Sequence, residues 1–293
     1  MNSGLLLVDK PAGISSHDAV HRVRAALGTR KIGHSGTLDP LATGLLVMGI
    51  NAGTRFLSFL VGLDKTYLAR VRLGYRTATD DSEGERLSDS PADLQKVSDQ
   101  IILEALGAFC GKIQQIPSTF SAVKVQGKRA YELARAGKKV ELKARTVQIH
   151  SLHTKAIQRN RNYIDIDFLI ECSSGTYIRA IARDLGDKLG VGGHLRSLRR
   201  IAVGPFRVEQ ALECALASKT SLISLGDAAS KIMPAVSLDS GQVLDLRHGR
   251  AVSTEGWPRV APVAAIDQKS LALVAVVDAE GPSSRVLMGV PVE

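Results

Sequence analysis

Cysteine is scarce in this chain, and what there is lies far apart. Cys110, Cys172 and Cys214 are the only three among 293 residues. No two stand in a C-x-x-C spacing, which argues against zinc binding and thioredoxin-like redox chemistry. An odd, dispersed set of thiols fits a reducing compartment, and a cytoplasmic location is expected. No Walker phosphate loop and no H-x-x-x-H zinc pair is read in the sequence, so neither a metal nor a cofactor is expected. Long apolar runs are also missing. Residues 5–8 are too few for a secretion signal and meet Asp9 at once. Residues 45–63 are mostly apolar but carry Asn51, Arg55 and three glycines. That pattern predicts a buried strand followed by a helix, and no membrane partner is expected. Internal repeats and low-complexity tracts are absent.

Charge is present in excess and is segregated. The net charge is +9, with an apolar fraction of 44% that suits a folded globular chain. Residues 75–104 hold eight acids against three bases, whereas residues 110–210 hold nineteen Lys or Arg against eight acids. Positive potential concentrated on part of a surface is what a reader of phosphate backbone needs. The length allows one large domain and a smaller one, divided here as residues 1–230 and 231–293.

The densest cluster of unusual residues is Gly33-His34-Ser35-Gly36-Thr37-Leu38-Asp39-Pro40-Leu41-Ala42-Thr43-Gly44. Glycine and proline at this density prevent regular structure. Asp39 is the only acid between Asp18 and Asp64. Pro40 restricts Asp39 to extended geometry, which aims its side chain. Taken alone, the motif reads first as an ordinary turn with Asp39 bonding its own backbone.

Several elements can be placed by pattern. Ser15-x-x-Asp18 reads as a capping box for a helix with Val20, Val23 and Leu27 on one face and Gly28 as its stop. Tyr67, Ala69, Val71 and Leu73 share one face of a strand, with Arg70 and Arg72 on the other. Residues 99–107 read as a helix. Ile164, Ile166, Phe168, Ile170 and Cys172 alternate with acids along another strand. The stretch 173–176 is expected to N-cap the next helix, whose stripe is Ile178, Ile181, Ala182, Leu185 and Leu189. Arg179 falls near the positive end of that helix, a placement that calls for an anion nearby. Beyond Pro234, residues 238–246 read as one helix, and 260–266, 271–278 and 285–290 as short strands.

Lys31 to Gly44 resembles the signature of the TruB family, the tRNA pseudouridine(55) synthases of bacterial type. Other segments are similar to that family's motifs in the same order. They are Lys10 to Ser16, Lys65-x-Tyr67, residues 115–135, Cys172 to Arg179, and Gly192 to Arg200. The resemblance implies an α+β fold, a mixed and largely antiparallel sheet with flanking helices (the pseudouridine synthase fold), plus a small C-terminal β-rich PUA-like domain. It implies isomerisation of uridine 55 in the T-arm (TΨC loop) of tRNA, by base flipping and without a cofactor.

In that family Asp39 would be the catalytic carboxylate, with Arg179 pairing to it and Tyr67 against the target base. His34 would fill the space of the flipped nucleotide, and Tyr177 and Leu198 would complete the pocket. By pattern alone Tyr67 and Leu198 are core residues. Candidates for RNA backbone contact are Lys10, Lys124, Lys128, Arg129 and Arg135, most of them in a basic insertion at about 115–145. The expected partner is tRNA alone, with no obligatory protein partner, and the chain is expected to be a monomer. Two other readings use the same scaffold: a noncatalytic RNA-binding or RNA-folding protein, and a guide-dependent relative. Asp39, Tyr67 and Arg179 together argue against the first, and the basic insertion against the second.

Overall fold

The computed structural model describes residues 3–87, 93–121, 124–125, 127–130, 133 and 141–292. In chain order the elements begin with β1 (Gly4–Lys10), α1 (Ser16–Leu27), β2 (Ile32–His34), β3 (Thr43–Ile50) and the one-turn helices α2 (Gly53–Phe56) and α3 (Ser58–Val61). They continue with β4 (Lys65–Leu73), α4 (Asp99–Gly107), β5 (Gly111–Gln115), β6 (Lys124–Val125), β7 (Lys128–Arg129), β8 (Arg145–Arg159) and β9 (Ile164–Cys172). Next come α5 (Ile178–Lys188), β10 (Gly193–Val203), β11 (Phe206–Arg207), β12 (Leu212–Glu213), α6 (Leu225–Ile232) and β13 (Ala235–Leu238). The last are α7 (Ser240–Arg247), β14 (Val263–Asp267), β15 (Leu273–Asp278) and β16 (Arg285–Gly289). The chain folds into two units. One gathers residues 3–40, 44–61 and 203–292, and the other residues 41–43 and 62–202.

In the first unit, β1 runs antiparallel to β3, from Gly4 opposite Ile50 to Lys10 opposite Gly44, and parallel to β12. Strand β2 pairs antiparallel with the far end of β3. Helix α1 starts at the capping box the sequence predicts. Ser15 Oγ accepts from the Asp18 N–H at 3.1 Å, and Asp18 Oδ2 accepts from the Ser15 N–H at 2.9 Å. It stops at Gly28, whose φ of 64° lies in the left-handed region that glycine adopts without strain. Its apolar face (Ala19, Val20, Val23, Leu27) packs on Leu6, Val8, Leu46 and Met48. Each fully buried Val, Leu or Met side chain among these stabilises by roughly 1.5–3 kcal/mol.

The C-terminal strands form their own sheet in the order β13-β14-β15-β16 over a cluster that includes Leu238, Val243, Leu246, Val263 and Val277. The helix expected over 238–246 is present as α7 and begins two residues later, at Ser240. Residues 235–238 are strand, and Asp239 starts helix α7 afresh by accepting from the Gln242 N–H at 2.9 Å. The D-x-x-Q box that breaks the run was visible in the sequence.

In the second unit the strands lie in the order β10-β4-β9-β8-β5. Strands β4 and β9 pair antiparallel, with Tyr67 opposite Ile170 and Lys65 opposite Cys172. The alternation read from the sequence holds. Tyr67, Ala69, Val71 and Leu73 are buried with Ile164, Ile166, Phe168 and Ile170. On the other face Arg70 meets Asp167 and Arg72 meets Asp165, each through two hydrogen bonds of 2.6–2.7 Å. Helix α5 buries Ile178, Ile181, Ala182 and Leu185. The protein is thus α+β and largely antiparallel, with a β-rich C-terminal part, as the sequence predicts.

Candidate active site

The first unit presents Asp39 on a loop tied down on both sides. Before it, buried Ser16 on α1 grips Leu38 twice, accepting from its N–H at 2.8 Å and donating to its carbonyl at 3.0 Å. After it, the Pro40 carbonyl accepts from the Gly13 N–H at 2.8 Å and from Lys10 Nζ at 3.3 Å. Ser35 N–H donates to Val47 O at 3.1 Å, which fixes the loop's other arm to β3. A half-buried carboxylate on a backbone held at both neighbouring residues costs little further ordering when it acts. His34 ends β2 in the same unit, half-buried, and its Nδ1 accepts from the Gly36 N–H at 3.3 Å.

Lys10 is where the structure departs from expectation. It is fully buried, and its ammonium donates to the carbonyls of Pro11, Ile14 and Pro40. An amine enclosed by three carbonyls is a staple for the Asp39 loop and not a surface contact for RNA phosphate.

The second unit presents Tyr67, Tyr177, Arg179 and Leu198. Tyr67 and Leu198 are buried, Tyr177 is half-buried, and the Arg145 guanidinium lies over the Tyr177 ring at 5.3 Å from its centroid. Arg179 is only 4% exposed. Its Nη1 lies 3.4 Å from Asp81 Oδ2 and donates to Thr79 O at 3.1 Å, and its Nη2 donates to Phe120 O at 2.9 Å. The anion this helix terminus calls for is therefore supplied within the unit by Asp81, itself buried. Asp81 in turn accepts from Thr79 Oγ1 at 2.5 Å and the Glu83 N–H at 3.0 Å. Next to it, Asp80 holds a positive φ of 60° and turns its carboxylate to Arg183 at 3.3 Å. Burial pushes the Asp80 carboxyl above the usual range, and the Arg183 cation opposes that shift.

Beside Tyr67 on β4, Lys65 is buried. Burial, with the Arg200 cation adding to it, lowers its ammonium pKa to about 8. Helix α5 also begins differently from expectation. Tyr177, not a residue of 173–176, takes the N-cap position and makes no side-chain cap.

Of the basic candidates, Lys124 lies on β6 and Lys128 and Arg129 on β7, which pair antiparallel. Arg135 lies outside the described residues. The spacing H-x-x-x-H does occur at His17 and His21 on α1, with Nε2 atoms 3.0 Å apart. Among the described residues no group of three or more His, Cys, Asp or Glu forms a metal site. Nor is any helix among them long and apolar enough to cross a membrane. Sequence reading gave Ser16 no role, although it closes the Lys10 to Ser16 motif, and it missed Asp81, which only spatial proximity identifies.

Known proteins match this chain along its length. The TruB family pseudouridylate synthase N-terminal domain matches residues 24–178, and the tRNA pseudouridylate synthase B C-terminal domain matches 179–221. A protein of Leifsonia xyli subsp. xyli (strain CTCB07) named tRNA pseudouridine synthase B is 48% identical over 297 residues, spanning 100% of this chain and 98% of that protein. One of the same name from Arthrobacter sp. (strain FB24) is 45% identical over 301 residues, spanning 99% and 98%. A chain of a solved Cbf5-Nop10-Gar1 complex superposes with a TM-score of 0.73 at 24% identity, over 98% of this chain and 84% of that one. That likeness concerns the fold alone. Together these findings define a pseudouridylate synthase. The chain belongs to the TruB family.

Proposed function

We propose that this chain isomerises uridine 55 in the T-arm of tRNA to pseudouridine, with Asp39 as the reacting carboxylate. The observation that carries the reading is the Asp39 loop, pinned at Leu38 and Pro40, in a family of pseudouridylate synthases whose full-length relatives are named for tRNA. The reaction breaks the bond from C1′ to N1, turns the base, and joins C1′ to C5. It neither oxidises nor reduces, and the proton leaving C5 ends on N1 or in solvent. It needs an ionised carboxylate, a closed pocket that keeps the detached base, and a group to receive that proton.

Asp39 supplies the first. The Arg179 cation favours its ionised form, and Arg179 is itself held by Asp81. Tyr67 stacks on the base and relays the C5 proton, and Tyr177 and Leu198 wall the pocket. The target base is stacked within the folded loop and leaves its stack to be reached, and His34 occupies the vacated space. Lys124, Lys128, Arg129 and Arg135 contact phosphates. Residues 231–293 form an RNA-binding module beside a catalytic part at 1–230. The enzyme works as a cytoplasmic monomer without a cofactor or a guide RNA.

The test is release of tritium from tRNA transcript labelled at uracil C5. Purified chain alone should release label from the intact transcript and none from a transcript in which uridine 55 is replaced by cytidine. Binding without release would favour the RNA-folding reading. Release only with added guide RNA would favour the guide-dependent one.

A further inference from the structure

The start of helix α5 has no cap of its own, yet it carries Tyr177 and Arg179. The first N–H groups of a helix need partners. Here a side chain 62 residues upstream supplies one. Gln115, at the end of β5 and fully buried, accepts from the Tyr177 N–H at 2.8 Å and donates to the Tyr177 carbonyl at 3.1 Å. A primary amide gripping both main-chain groups of one residue fixes that residue's orientation as well as its place.

The next residue holds the helix again, farther along. The Ile116 carbonyl accepts from Arg183 Nη2 at 2.8 Å, and Arg183 also meets Asp80 at 3.3 Å and Asp184 at 2.8 Å. Positions 177 and 183 are therefore both fastened to the segment 115–116. Arg179 lies between the two fastenings. The neighbouring acids divide the same way, Asp80 to Arg183 and Asp81 to Arg179.

We propose that Gln115 and Arg183 are positioning residues for the pseudouridylation reaction, setting the orientation of α5 so that Tyr177 and Arg179 are held in register for the substrate. Neither touches the reacting atoms. Their loss misplaces groups that do, and a small misplacement lowers the rate of the chemical step while leaving binding by the rest of the RNA surface in place.

The inference rests on the function proposed above, and one set of assays separates the two. Single-turnover tritium release by the unaltered enzyme tests the function. Its failure would refute that reading and not the geometry of α5. Given an active parent, Gln115→Met should lower the single-turnover rate constant at least 10-fold, with the tRNA dissociation constant changed less than 2-fold. Gln115→Glu keeps the acceptor for the Tyr177 N–H and should recover part of the rate. A rate constant within 2-fold of the parent for folded Gln115→Met would overturn the proposal, whatever its melting temperature. So would a loss confined to tRNA affinity. If neither Gln115 variant melts cooperatively, Arg183→Met decides, by the same two criteria.

Discussion

Ser16 is the sharpest test of how the Asp39 loop is held. Its hydroxyl makes two hydrogen bonds to one buried residue, to the N–H and the carbonyl of Leu38. Ser16→Ala removes both and leaves an N–H and a C=O without those partners in a region where Ser16 and Leu38 are each nearly inaccessible. Each stranded group costs about 1–3 kcal/mol, so the pair should cost about 2–6 kcal/mol. Against a typical folding free energy of about 5–15 kcal/mol that is a large fraction. Urea unfolding followed by circular dichroism gives the difference by linear extrapolation. Leu38 adjoins Asp39, so loosening it should also slow single-turnover tritium release by roughly 10-fold, since displacements near 1 Å cost up to about 100-fold. A stability loss below about 0.5 kcal/mol with an unchanged rate would refute the claim that this hydroxyl pins the loop.

Further outcomes follow from the second unit. Asp81→Ala removes the acid facing buried Arg179, and breaking such a pair should cost about 3–5 kcal/mol, read by the same urea titration. Gly186→Ala places a Cβ into the main-chain nitrogen of Gly193, where no flexible side chain can yield, and should give insoluble protein on expression. Lys65 bears on pH. Its folded pKa is about 8 against an ordinary 10.5, so between those values the unfolded chain holds more proton and stability from this group rises with pH. Lys65→Met should therefore flatten the stability profile from pH 8 to 10.5, as followed by urea midpoints across that range.

Local signals in the sequence proved reliable where the physics is local. The Ser15–Asp18 box, the Gly28 stop, the helix at 99–107 and the alternation on β4 and β9 each depend on residues a few positions apart. What stayed hidden depends on contacts between distant segments. A lysine beside Pro11 reads as a solvated turn residue, and nothing in the string shows its amine reaching the Pro40 carbonyl thirty residues on. The resemblance pairs Arg179 with Asp39, and its contact with Asp81 went unread because Asp81 lies in an acidic stretch that looked like a solvated face. The cap of α5 was sought in the serines and threonine beside it and comes instead from Gln115. Leu238 was read as the start of a helix because it runs straight into the Asp239 cap, and it instead ends β13.

The central claim is that one carboxylate, Asp39, carries the rearrangement. Its most direct measurement is single-turnover tritium release by Asp39→Ala under saturating enzyme, with tRNA binding measured alongside. The account predicts release at the level of the enzyme-free control and a tRNA dissociation constant close to that of the parent. Release at the parental rate would contradict it.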